Sequence, residues 1–87
     1  MKRIYVDITS DLKQVPNLQE ILPQEMEAAK RMKEQGVMEH LFVKSAGAGA
    51  ILVFKDIEEQ EARELVSALP LAPYFGTTAY TIVEKHF

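Results

Sequence analysis

The chain has 87 residues, 47% of them apolar and 26% charged, with a net charge of −3, which fits one globular domain with one core and excludes a disordered or fibrous protein. It has no cysteine, so disulfides, thiolate catalysis and cysteine-ligated zinc are excluded and a reducing, cytoplasmic setting is expected. Lysines and arginines are scattered without a basic stripe, which argues against nucleic acid, and the longest apolar run, Ala46 to Phe54, is far too short to cross a membrane.

Lys2 to Thr9 alternates, with Ile4, Val6 and Ile8 on one side, and predicts a first strand. After a polar connection ending at Asn17, a residue type that can cap a helix, Ile21, Leu22, Met26, Ala29 and Met32 recur at helical spacing until Gly36. Pro23 interrupts this pattern, so the main helix is expected to start at Leu22 or Pro23. Val37 to Lys44 and Ala50 to Lys55 read as two strands of a hairpin, turned through Gly47-Ala48-Gly49. Asp56 and Glu59 have the spacing of a capping box ahead of Ala62, Leu65, Val66 and Leu69, a second helix closed by Pro70. Thr77 to Phe87 alternates again and gives a last strand.

The order βαββαβ over a single domain, residues 1–87, defines an α+β fold of the ferredoxin-like kind: a four-stranded antiparallel sheet with two helices on one face. Ile51 and Val53 alternate with Leu52 and Phe54, and His40 and Phe42 with Leu41 and Val43, so both sheet faces carry large apolar side chains. Helices cover only one of them. The other is expected to meet a second subunit, giving a homodimer or a larger homo-oligomer.

Candidates for chemistry are few. His40 is the better placed of two histidines for proton transfer near neutral pH. Glu25 and Glu27 cannot share a helix face, and Glu25 lies nearer the apolar stripe, where lost hydration would raise its pKa and suit it to act as a base. No metal-ligand cluster or nucleophile motif is present, so neither metal nor cofactor is expected. The segment Ser67-Ala68-Leu69-Pro70-Leu71-Ala72-Pro73-Tyr74-Phe75 is stiffened by two prolines and reads as one wall of a small-molecule pocket. Leu71, Tyr74 and Phe75 from this loop and Phe42 from the hairpin are the expected substrate-binding residues.

The segment Leu69 to Tyr74 matches a Leu-Pro-Leu-x-Pro-Tyr pattern, and a helix ending in Glu34-Gln35-Gly36 is followed closely by His40-Leu41. In these features the chain resembles the muconolactone isomerase family over roughly residues 22 to 87. The resemblance implies a dimeric α+β barrel of ferredoxin-like subunits and a cofactor-free isomerisation of a small unsaturated lactone or related metabolite in aromatic catabolism. His40 or Glu25 would then transfer the proton and Tyr74 would orient the ligand. The family's basic positions around the His-Leu pair are not kept in Met38-Glu39-His40-Leu41-Phe42-Val43, which implies a changed substrate. The alternative is a non-catalytic small-molecule binding or assembly module with the same fold.

Overall fold

The computed structural model describes residues 1–87. Four strands, β1 (Lys2–Ser10), β2 (Met38–Val43), β3 (Gly49–Phe54) and β4 (Phe75–Glu84), and two helices, α1 (Leu18–Glu34) and α2 (Glu59–Ser67), follow one another in the order β1-α1-β2-β3-α2-β4. The strands form one antiparallel sheet in the order β2-β3-β1-β4. Each helix therefore links two parallel strands with a third strand inserted between them, and both helices pack on the same face. This is the ferredoxin-like arrangement. No helix is long and apolar enough to cross a membrane.

The core lies between that face and the helices. Ile4, Val6 and Ile8 of β1 stand beside Phe54, Leu52 and Ala50 of β3, and Ala29, Met32, Ala62 and Val66 close over them from α1 and α2. Val6 and Phe54 are wholly buried. In antiparallel pairing, directly opposed residues share a face, so the register sorts every side chain of the sheet. On the uncovered face His40, Val53, Tyr5 and Thr81 form one row, and Phe42, Ile51, Asp7 and Ala79 form the next.

Several local expectations are corrected. Helix α1 starts at Leu18 and runs unbroken through Pro23. The amides of Glu20 and Ile21 already bond to the Asn17 carbonyl, so the first turn closes without the proline nitrogen, and the one carbonyl Pro23 leaves unpaired lies on exposed Gln19. Asn17 occupies the cap position with φ 56° but makes no side-chain capping bond. Asp56 likewise does not cap α2: it turns the chain with φ 61° and Glu58 takes the cap position. Strand β4 begins earlier than expected, at Phe75, and ends at Glu84.

The β2–β3 turn is kinked at Ser45–Gly47, where Ala46 takes a left-handed φ of 58°. Gly49 could be nothing else: its φ is +139° and a Cβ there would sit 1.9 Å from the Ile8 carbonyl oxygen. A bulge at Glu39 shifts the β2 register between Met38 and His40, and it decides which way the rest of β2 faces. Met38, Leu41 and Val43 point to the helices, and His40 and Phe42 point away.

Candidate functional site

Between α1, the β2–β3–β1 part of the sheet and the loop after α2 lies an apolar cavity of about 100 Å³, with 13 hydrophobic residues among the 16 that line it. Leu22, Met26, Ala29 and Met32 supply the α1 wall, Ile8, Ala50 and Leu52 the floor, and Leu71 and Phe75 the end. Helical spacing that buries Ala29 and Met32 also turns the residue one turn earlier, Glu25, toward the sheet. Glu27, two residues on, is exposed.

Glu25 is the only ionisable residue in the lining. Burial raises its pKa above the ordinary carboxylate value, and a hydrogen bond from the Leu71 amide offsets part of that rise. The bond is 3.0 Å long, from the Leu71 N–H to Oε1. Its donor is held by the turn around Pro70, where the Ala72 amide bonds back to the Leu69 carbonyl at 2.9 Å. One carboxylate oxygen is thus fixed by the backbone while no protein donor bonds the other. A carboxyl group in this setting is ionised less readily than on the surface and is positioned to take and return a proton.

The structure brings Glu25, Leu71 and Phe75 together in this cavity. His40 and Phe42 lie on the other side of the sheet, with their rings 5.8 Å apart. Tyr74 ends the short 3-10 turn Ala72–Tyr74, is exposed and does not line the cavity. Ser10, absent from the expected set, lines it beside Ile8. Its signal was in the alternation of β1, since Ser10 continues the inward phase of Ile4, Val6 and Ile8.

The open face has its own polar structure. Arg3, though only 7% exposed, gives Glu39 a two-pronged pair, Nε to Oε1 at 2.9 Å and Nη2 to Oε2 at 3.2 Å. Lys85 adds a third bond to Oε2 at 3.2 Å. The hydrogen bond from Arg3, helped by Lys85, holds the Glu39 carboxyl down to about 2. Glu39 is therefore a neutralised member of a charge network and not a repulsive group at the cavity. Toward the other end of the face, Lys44 bonds Asp7 at 2.6 Å.

These features define a ferredoxin-like α+β protein with a lone carboxylate in an apolar cavity. Muconolactone isomerase has the same fold: its crystal structure superposes with a TM-score of 0.77 over 97% of this chain and 90% of that one, at 20% sequence identity. So does the 5-chloro-2-hydroxyhydroquinone dehydrochlorinase of Burkholderia phenoliruptrix in complex with 2,5-dihydroxybenzoquinone, with a TM-score of 0.64 over 97% and 95% of the two chains at 14% identity. The likeness to muconolactone isomerase read from the proline loop thus extends to the whole fold. No family model matches the chain and no curated protein is similar to it in sequence.

Proposed function

We propose that this protein is a cofactor-free, isomerase-like enzyme that moves a proton within a small unsaturated lactone or related metabolite held between α1 and the sheet. The observation that carries the reading is Glu25, a carboxyl group in an apolar cavity with one oxygen tied to the Leu71 amide and the other free. In the reaction Glu25 takes a proton from a carbon conjugated to the ligand carbonyl. The C–H electron pair enters the conjugated system to give an enolate, and Glu25 returns the proton two carbons away. One C–H bond breaks and one forms, and the double bond shifts between them. Such a shift needs only a base of raised pKa and a donor to the enolate oxygen, and the Ser10 hydroxyl is the donor available in the lining. The fold shared with muconolactone isomerase and with the dehydrochlorinase, both acting on small molecules by name, supports the class of ligand.

Incubating the protein with muconolactone and related unsaturated lactones and following the double-bond isomers by ultraviolet absorption tests the reading. Isomerisation above the buffer rate supports it. Absence of isomerisation with every lactone that binds would leave the non-catalytic binding module, the second reading, which a lining without lysine, arginine or histidine favours.

We also infer that the open face pairs with the same face of a second copy, a homodimer or the unit of a larger ring. Tyr5, Ile51, Val53 and the 56% exposed Phe42 form its apolar centre, and no helix covers them. The charge pairs Arg3–Glu39 and Lys44–Asp7 border that centre, as a polar rim borders an interface. A cytoplasmic setting is in keeping with the absence of cysteine.

A further inference from the structure

We infer, resting on the proton-transfer reading for the reaction though not for binding, that the cavity selects an uncharged, single-ring carbonyl compound and turns carboxylates away, with Glu25 as the charge filter. The lining contains no lysine, arginine or histidine, and its only polar side chains are Glu25 and Ser10. An anionic group entering it meets an apolar wall and another carboxylate, so one of the two must take up a proton or stay in water. A neutral carbonyl meets no such penalty and finds the Ser10 hydroxyl as a donor.

Size points the same way. The cavity measures about 100 Å³, whereas an apolar cavity of roughly 150 Å³ is known to take benzene. The cavity is smaller than that, so a single five-membered ring with a small substituent already needs the exposed Met26 to give room, and a longer arm needs more. Charged groups do lie nearby: a neighbouring groove that shares Met26, Ala29 and Leu41 with the cavity is also lined by Lys30, Lys33, Glu39 and His40. Both lysines and His40 are exposed, so they stay hydrated and lend little to a charge inside the cavity, and Glu39 is already paired with Arg3 and Lys85.

The test is direct binding, measured by protein-observed NMR titration at neutral pH. The two probes are muconolactone, a carboxylate, and β-angelica lactone, the same unsaturated ring with methyl in place of the carboxymethyl arm. β-Angelica lactone should bind at least about tenfold more tightly than muconolactone. In Glu25→Gln the difference should shrink to about threefold or less, and Met26→Lys, a change at an exposed position, should strengthen muconolactone binding over wild type. Should Glu25→Gln not fold, Met26→Lys decides. Equal or tighter binding of muconolactone by the wild type overturns the inference, as does failure of β-angelica lactone to bind at about 10 mM. Binding of β-angelica lactone without isomerisation would reject the enzyme reading and keep the filter. Turnover of muconolactone with β-angelica lactone excluded would do the reverse.

Discussion

The Leu71 amide, 46 residues along the chain from Glu25, donates a 3.0 Å hydrogen bond to its carboxyl group. That bond joins the proline loop to α1 beside the cavity that both line. The loop thereby acts on the site through its backbone, while Tyr74 remains outside.

Burial raises the Glu25 pKa, so between the ordinary value of 4.5 and the raised one the folded protein holds a proton that the unfolded chain has released. The stability this gives is complete below 4.5 and is lost as pH rises through the folded pKa. Thermal melts from pH 4 upward should show wild type losing stability relative to Glu25→Gln. Parallel pH profiles for the two proteins would contradict the burial of this group.

Glu39 behaves oppositely. Its pKa is held down to about 2 by Arg3 and Lys85, so its contribution is present above 4.5 and disappears as pH falls toward 2. Glu39→Gln should lower the melting temperature at neutral pH, and the gap to wild type should close on acidification through that window. A gap that stays constant down to about pH 2 would show that the network does not depend on this charge.

Gly49→Ala should cost about 3 kcal/mol or more, because a positive φ and a 1.9 Å approach to the Ile8 carbonyl act together. Gly36→Ala is the control. Its φ is +79° but nothing lies within 4 Å of the added carbon, so it should cost only about 1–2 kcal/mol. Urea denaturation of both variants measures the difference, and equal costs would contradict the close approach of β3 to β1 at Gly49.

The order of elements was legible because Ile4-Val6-Ile8, Leu52-Phe54 and Ala29-Met32 carry the periods of half-buried strands and a packed helix. The inward turn of Glu25 was legible too, from its place one helical turn before Ala29. What periodicity could not convey is the bulge at Glu39. One extra residue in β2 sends His40 and Phe42 to the open face, and no residue type in Met38-Glu39-His40 announces it. The Arg3–Glu39–Lys85 network was hidden for a related reason. Its members lie 36 and 46 residues apart in sequence, and only the strand order brings them together. Asp56 misled because its side chain suits both a helix cap and a left-handed turn, and the chain uses it for the turn.

Phe42 offers the cleanest access to assembly, since it is 56% exposed in the single chain and does not itself line the cavity. Sedimentation at micromolar concentration should show at least two wild-type chains per particle. Phe42→Asp should shift the protein toward monomer by placing an unpaired charge in the apolar centre of the face. A wild-type monomer that stays folded at that concentration would remove the sheet-face dimer.

The central claim, that Glu25 moves a proton on a ligand in the cavity, is tested most directly by deuterium incorporation. β-Angelica lactone in heavy water is followed by NMR with wild type, with Glu25→Gln and with buffer alone. Wild type should speed exchange at the carbons conjugated to the carbonyl, and Glu25→Gln, whose amide can still accept the Leu71 hydrogen bond, should lose about 10²–10⁴-fold of that rate. Exchange by the variant at the wild-type rate, or by the wild type at the buffer rate, would contradict the claim.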